Sequence, residues 1–174
     1  MTETTPYEVL ESAQGFELRR YPTMVLAMVE GMSDESAFRL LFRYISGENR
    51  ARQDISMTVP VISKGNTYQR ISMTRPAISG TGFFAFVLPS YYSISTAPQP
   101  LDERVKLVEI KSRILAVLRF SGKVYEETVK AKERELLQAI EERGLRVKGD
   151  VFLMRYNGPG TPGFLRRNEV AVEV

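Results

Sequence analysis

The stretch ISMTVPVI at residues 55–62 returns as ISMTRPAI at residues 71–78. Six of the eight letters are identical, and a short spacer that contains Lys64 and Gly65 separates the two copies. Two strand-forming runs on either side of a glycine-containing spacer are typical of a β-hairpin. We therefore expect the copies to form neighbouring antiparallel strands.

Alternation along these strands predicts where their side chains point. Met57 and Met73 share a face with the isoleucine that begins each copy, so we expect both to point inward. They serve either as core filling or as the soft wall of a ligand pocket. Arg75 has an apolar counterpart in the first copy, so it either emerges at a strand end or lines a pocket. Proline cannot donate to a ladder, which places Pro60 and Pro76 at strand ends, edges or bulges.

The order of predicted elements repeats around this segment. Helices are predicted at residues 33–46 and 125–143, each with strand-like runs before and after it. The strand-like runs outside the repeat are 16–21, 24–31, 83–89, 105–110, 114–122, 150–157 and 168–174. We expect runs 16–21 and 24–31 to form one hairpin and runs 105–110 and 114–122 to form another, so each half reads hairpin, helix, strands. This order predicts an α+β fold of roughly eight antiparallel strands with pseudo-twofold symmetry. Because no linker-like composition separates the halves, we expect one domain over 1–174.

Two residue types are missing from the chain, and their absence excludes several chemistries. There is no cysteine, so disulfides, thiolate nucleophiles and thiolate metal sites are excluded. There is no histidine, which removes the usual general base, the usual zinc ligand and the usual axial ligand of haem iron. Any chemistry must use carboxylates, tyrosine, lysine, arginine, serine, threonine or methionine.

Charge and hydropathy indicate which classes of partner the protein can bind. The net charge is +3, and the basic residues are scattered, which is typical of a solvated or anion-receiving surface. No predicted helix combines clustered basic residues with base-reading side chains, so we expect no nucleic-acid partner. No apolar run reaches about 18 residues, so no membrane span is expected. The first residues do not resemble a signal peptide, and we expect a cytoplasmic location.

The first predicted helix is apolar over about 200° of its circumference, twice the roughly 100° that one sheet contact needs. Phe38 and Phe42 lie one turn apart at a margin of this arc, and Arg39 and Arg43 occupy the polar side beyond them. Burial beneath loops would explain the width. A groove for a flat apolar ligand with acidic ends would explain it too. The second helix has the narrow apolar stripe of a helix that lies on a sheet.

Several motifs in this order resemble those of the SOUL/haem-binding protein family. They are FELRRY (16–21), FRYISGEN (42–49), the repeated octapeptide, FVLP (86–89), FSG (120–122), YNGP (156–159) and RRNEV (166–170). The resemblance runs from about residue 7 to residue 174, nearly the whole chain.

The resemblance implies a distorted antiparallel β-barrel of two pseudo-symmetric halves with two long helices packed outside. The chain is also similar, more distantly, to gyrase-inhibitor-like effector-binding domains, which bind flat or amphipathic molecules. Some SOUL members bind haem and other tetrapyrroles in a shallow groove beside the first helix. Matching the motifs carries that contact to Phe38, Phe42, Arg43 and Tyr44. Arg20 stands where some members are thought to have an iron-ligating histidine, so haem would bind here non-covalently and without a histidine ligand.

We therefore expect a weak carrier or sensor of haem, another tetrapyrrole or a similar flat amphipathic molecule. Two alternatives stay open: an interaction module or homodimer that uses the same apolar surface, or a Tyr/Glu hydrolase like some gyrase-inhibitor-like relatives. We predict no specific catalytic residue and no metal ligand. The candidate ligand-binding residues are Phe38, Arg39, Phe42, Arg43, Tyr44, Met57, Met73 and Arg75.

Overall fold

The computed structural model describes residues 2–65 and 82–174, which fall into two compact units. The first unit comprises the described residues of Met1–Thr5 and Met24–Ile110, and the second comprises Pro6–Thr23 and Lys111–Val174. Each unit combines antiparallel strands with one long helix, so the predicted α+β class is confirmed.

The first unit carries helix α1 on one face of four antiparallel strands. Its elements are β1 (Glu3–Thr4), β4 (Met24–Glu30), α1 (Asp34–Ile45), β5 (Thr58–Val59), β6 (Val61–Lys64), β7 (Phe83–Val87) and β8 (Lys106–Ile110). The strand order is β6-β7-β4-β8, and the short strands β1 and β5 pair in parallel. Leu41 on α1 packs in a core with Ala27 of β4 and Phe86 of β7.

The second unit repeats this plan with five antiparallel strands. Its elements are β2 (Glu8–Ala13), β3 (Phe16–Tyr21), β9 (Arg113–Ser121), α2 (Glu126–Glu142), β10 (Phe152–Arg155) and β11 (Arg167–Glu173). The strand order is β2-β3-β9-β11-β10. Leu136 and Ile140 of α2 pack in a core with Leu118 of β9 and Val170 of β11.

The predicted pseudo-symmetry is present in the strand order, but the pairing differs from the predicted hairpins. The order β6-β7-β4-β8 has its counterpart in β10-β11-β9-β3, with one helix following β4 and the other following β9. β4 pairs with β8, and β3 pairs with β9. In the second unit, Thr23 Oγ1 accepts a hydrogen bond from the Ser112 amide at 3.2 Å, and Ser112 Oγ donates to the Tyr21 carbonyl at 2.9 Å. The link between β3 and β4 (22–23) and the link between β8 and β9 (111–112) are therefore joined by hydrogen bonds. Neither link connects two strands that pair with each other.

Both helices begin and end within one residue of the predicted bounds. Ser33 Oγ accepts a hydrogen bond from the Ser36 amide and so caps the first turn of α1. Gly47 and Gly144 follow the two helices with φ of 109° and 74°, a conformation that glycine adopts without a steric penalty.

The first copy of the repeated octapeptide forms the two short strands β5 and β6, separated by Pro60. β6 pairs with β7, and Met57 is partly buried against the core beneath α1. The second copy, with Met73 and Arg75, lies outside the described residues. The pairing of the two copies and the direction of Met73 therefore stay predictions.

Candidate functional site

The outward side of α1 carries two exposed aromatic rings. Phe38 and Phe42 are 40% and 50% exposed. Their ring centroids lie 6.0 Å apart with an angle of 13° between the planes. The helix places them one turn apart, and the two stacked rings, whose planes are nearly parallel, form one apolar surface, which we call the Phe38–Phe42 surface.

The Phe38 ring packs against aromatic side chains of the core, whereas the ring contact of Phe42 is with Phe38. The Phe38 ring meets the edges of Phe86 and Phe84 on β7, with centroid distances of 5.3 and 6.5 Å. These two partners belong to the core beneath α1. Phe42 stacks on Phe38 and is otherwise the more exposed ring. The surface is therefore pre-ordered from below, which lowers the entropic cost of stacking a ligand on it.

Arg39 and Arg43 follow the two phenylalanines around the helix, about 100° further on. Arg39 pairs with Glu35 at 3.1 Å, and Arg43 pairs with Glu48 at 2.9 Å. All four side chains are more than half exposed. Exposed ion pairs of this kind contribute little free energy, so a ligand carboxylate could replace either glutamate at small cost.

Beyond the arginines, α1 borders a cavity of about 200 Å³. Its lining includes Leu40, Arg43 and Tyr44 from the helix and Leu101 and Asp102 from the loop that precedes β8. The cavity is smaller than the roughly 300 Å³ at which typical small-molecule pockets begin. It has room for a small polar group, and a flat macrocycle would have to lie on the outer surface.

Tyr44 is part of the cavity wall and is nearly completely buried. Its hydroxyl donates a 2.6 Å hydrogen bond to the Pro98 carbonyl. Burial raises the pKa of Tyr44 to about 12. Asn49, also buried, donates to the Tyr44 and Gln53 carbonyls and fastens the end of α1 to the following turn. Tyr44 thus positions the helix and the loop, away from the Phe38–Phe42 surface.

Across the cavity, Asp102 and Arg104 form an ion pair in which the shortest contact is 2.7 Å. Hydrogen bonds from the Arg104 side chain and amide lower the pKa of Asp102 to about 2. Arg43 adds a smaller favourable charge. The mouth of the cavity therefore holds opposite charges close together, and an entering ligand group must exchange with one of them.

The residues of this surface fit a tetrapyrrole ring but not the ligation of its iron. The Phe38–Phe42 surface offers an apolar face, and the two arginines offer partners for carboxylates. Among the described residues of α1 and its surroundings, neither candidate axial ligand is presented to that face. The Tyr44 hydroxyl is engaged with Pro98, and Met57 packs against the core.

The structure thus brings four of the predicted site residues to one side of α1, namely Phe38, Arg39, Phe42 and Arg43. Tyr44 and Met57 lie behind them. Met73 and Arg75 fall outside the described residues. In the part of the chain that the structure describes, no group of three or more acidic side chains is placed to hold a metal ion.

Sequence reasoning missed a buried ionic cluster in the second unit. Arg19 on β3 donates to both carboxylate oxygens of Glu169 on β11, at 2.9 and 2.7 Å. Arg19 also pairs with Glu17 at 2.6 Å, and Arg167 contacts Glu169 at 3.0 Å. Burial alone would raise the pKa of Glu169, but the hydrogen bonds and charge of Arg19, with the charge of Arg167, leave it lowered.

Three tyrosines surround this cluster. Tyr21 accepts a hydrogen bond from Arg19, and Tyr7 accepts one from Arg167. Burial, with the nearby Glu169 charge, raises the pKa of Tyr156. The Tyr156 hydroxyl is buried, and no group in the described ranges completes a hydrogen bond of good geometry with it. The sequence signal was present but weak, because alternation in RRNEVAVEV places Glu169 opposite the apolar face without showing that it is buried.

Solved structures with the same fold cover most of this chain at low sequence identity. The C-terminal domain of EcmrR aligns with a TM-score of 0.62 at 10% identity, over 96% of each chain. A hydrolase from Listeria innocua aligns with a TM-score of 0.55 at 14% identity, over 89% of this chain and 90% of that one. SAV2435, solved bound to tetraphenylphosphonium, aligns with a TM-score of 0.51 at 11% identity, over 91% and 93%. At these identities the likeness concerns the fold.

At the sequence level, the comparison with curated proteins gives no match. No helix in the described ranges is both long and apolar enough to cross a bilayer. The model of the family described as SOUL heme-binding protein matches residues 2–173. This chain therefore belongs to the SOUL heme-binding protein family.

Proposed function

We propose that the protein binds a flat, apolar, anionic small molecule of the tetrapyrrole class on the Phe38–Phe42 surface of α1. The observation that carries the proposal is the exposed, stacked pair of phenylalanine rings with Arg39 and Arg43 beside it. A macrocycle with carboxylate side chains needs an apolar face and nearby cations, and this surface supplies both.

The expected affinity is modest. Burying about 300 Å² of macrocycle at about 25 cal/mol/Å² gives roughly 7 kcal/mol before the costs of association. Micromolar binding is the most that such a surface supports. The ligand is carried or sensed, and its iron, when haem is bound, supplies little of the affinity because neither Tyr44 nor Met57 faces the ring pair.

The ligand proposed for this chain is anionic, whereas one structure with the same fold was solved with a cation. SAV2435 was solved with a lipophilic cation. On α1 of this chain the two side chains nearest the rings on the polar side are arginines, which favour carboxylates over cations. We therefore infer selectivity for an anionic ligand.

A titration with haem and with metal-free protoporphyrin tests the proposal. Both should bind, with dissociation constants that differ by less than about tenfold, or about 1.4 kcal/mol. Phe42→Ala should weaken both, whereas Tyr125→Ala, which removes an aromatic ring that is 62% exposed in the second unit, should not. Haem binding that is far tighter than porphyrin binding would indicate an iron ligand and reject this surface. If neither ligand binds and Phe42→Ala changes the elution volume on gel filtration, the surface is an interface between protein chains.

A further inference from the structure

The loop before β11 ends in two adjacent, strongly exposed apolar side chains. Phe164 and Leu165 are 76% and 61% exposed, and Phe164 is the most exposed large hydrophobic residue in the described part of the chain. They form a short 3-10 turn, Gly163–Leu165. We call the loop that carries them, residues 158–166, the 158–166 tip. Exposing two large apolar side chains to water is unfavourable, which suggests that they contact a partner.

The tip is held in this shape by its own hydrogen bonds. Arg166 donates from Nε to the Thr161 carbonyl and from Nη2 to the Pro159 carbonyl, both at 2.8 Å. The Leu165 amide donates to the Pro162 carbonyl at 2.9 Å, which closes the 3-10 turn. An arginine that satisfies backbone carbonyls fixes the loop, so Phe164 and Leu165 are presented to solvent by an ordered structure.

The tip is also fastened to the end of β9. The Asn168 side chain donates to the Gly122 carbonyl at 2.8 Å and so positions the turn that follows β9. Gly163 packs against the next residue of that turn, because a Cβ at this position would lie 3.3 Å from Cγ of Lys123. The Lys123 side chain therefore lies along Gly163, the residue directly before the Phe164–Leu165 pair.

The surroundings of the tip are basic. The segments 119–123 and 155–167 contain no acidic residue and five basic residues, of which Arg167 is paired with the buried Glu169. The second unit as a whole has 15 basic and 12 acidic residues, whereas the sequence has 24 and 21, so this unit accounts for the whole net charge of +3. A second copy docked tip to tip would oppose like charges. An anionic surface would be attracted.

We propose that the 158–166 tip docks the protein reversibly on an anionic lipid bilayer, with Phe164 and Leu165 inserted at the interface. Amphipathic surfaces of this kind combine apolar insertion with attraction between basic side chains and acidic headgroups. Two side chains insert too little apolar area for permanent anchoring, so binding is weak and reversible. This docking is separate from the Phe38–Phe42 surface, which belongs to the first unit.

Vesicle co-sedimentation of the full chain tests the proposal. Vesicles of phosphatidylcholine mixed with phosphatidylserine should bind the protein, and pure phosphatidylcholine vesicles should bind it much less. Phe164→Ser with Leu165→Ser should lower the partition coefficient by about tenfold or more. The matched control is Tyr91→Ser with Leu101→Ser, a pair with 64% and 61% exposure in the first unit, which should bind as the parent does.

A spectroscopic variant reports insertion directly. The chain has no tryptophan, so Phe164→Trp introduces a single one at the tip. Its emission should shift to shorter wavelength with the mixed vesicles, while that of Tyr91→Trp should not. Equal sedimentation of the tip and control variants, or an unshifted Phe164→Trp emission, would overturn the proposal. The proposal would also be overturned if the parent self-associates without binding vesicles and the Phe164→Ser, Leu165→Ser double variant no longer self-associates. Porphyrin binding should persist in the Phe164 and Leu165 variants, which separates a failure here from a failure of the proposed function.

Discussion

Arg19 on β3 and Glu169 on β11 form a bidentate ion pair across the intervening strand β9. The two side chains are 5% and 0% exposed. Removing one partner leaves the other buried charge with one remaining counterion, Arg167 for Glu169 or Glu17 for Arg19. Breaking a buried ion pair in this way typically costs about 3 to 5 kcal/mol. We expect Arg19→Met and Glu169→Leu each to lower the free energy of unfolding by about that amount in urea titrations.

The neighbouring residue supplies the control for this prediction. Arg20 is exposed and pairs with Glu8 at 3.0 Å, so Arg20→Met should cost less than about 1 kcal/mol. The double variant Arg19→Met with Glu169→Leu should lose less than the sum of the single losses, because neither charge is then orphaned. Equal losses for Arg19→Met and Arg20→Met would show that burial does not set the strength of the pair.

Acid should weaken the protein through Glu169. Its pKa is lowered in the folded state from an ordinary value of 4.5. The stabilisation is therefore fully present above pH about 4.5 and is lost as the pH falls toward the folded-state pKa. Melting temperatures measured between pH about 5 and 3 should fall in the parent and should fall less steeply in Glu169→Gln.

Asp102 provides a comparison for that pH profile. Its pKa is also lowered, to about 2, chiefly by Arg104, but this ion pair is exposed. Solvent and salt screen exposed pairs, so Asp102→Asn should change the acid slope much less than Glu169→Gln does. An unchanged slope in Glu169→Gln, or an equal change in Asp102→Asn, would contradict the role of the buried carboxylate.

The features that sequence predicted well are local. Ser33 before α1 and the glycines at 47 and 144 after the helices act on neighbouring backbone groups, so both helices appear where expected. The helix period likewise separated the exposed margin with Phe38 and Phe42 from the buried side with Leu41. The same helix period placed Arg39 and Arg43 on the polar side of α1, next to the two phenylalanines.

The features that sequence did not predict depend on partners far along the chain. The links around Thr23 and Ser112 bind each other across about ninety residues, which sets the pairing β3–β9. Arg19 and Glu169 are 150 residues apart, and strand alternation alone left Glu169 on the face that a sheet commonly turns to solvent. The sequence likewise did not indicate that the Tyr44 hydroxyl donates a 2.6 Å hydrogen bond to the Pro98 carbonyl of a distant loop, and the contact of Tyr44 with a ligand stays a prediction.

The expectation of one domain over 1–174 leads to a third prediction. Each unit is assembled from separate stretches of chain, since β3 and β9 pair in the second unit while residues 24–110 belong to the first. Neither half of the sequence can therefore complete a unit alone. We expect one cooperative unfolding transition, with coincident curves from far-ultraviolet circular dichroism and tyrosine fluorescence. Two separated transitions would show that the units unfold independently.

The charge of Arg43 supports the last prediction, which assumes the proposed ligand site. Arg43 lies between the Phe38–Phe42 surface and the cavity, paired with Glu48 in an exposed ion pair. A dicarboxylate porphyrin on the ring pair should take over this arginine. We expect Arg43→Glu to weaken porphyrin binding by about tenfold at low salt, since it replaces an attraction by a repulsion.

Salt and ligand charge make that prediction specific. The loss in Arg43→Glu should shrink at high ionic strength, where exposed charges are screened. It should also disappear with a porphyrin diester, which has no carboxylate for the arginine to bind. Arg143→Glu, which reverses an exposed arginine paired with Glu11 in the second unit, is the matched control and should bind as the parent does. Fluorescence titration measures the dissociation constants of the parent, Arg43→Glu and Arg143→Glu for each porphyrin. An equal loss for the diester, or for Arg143→Glu, would mean that Arg43 does not contact the ligand and that the anionic end lies elsewhere.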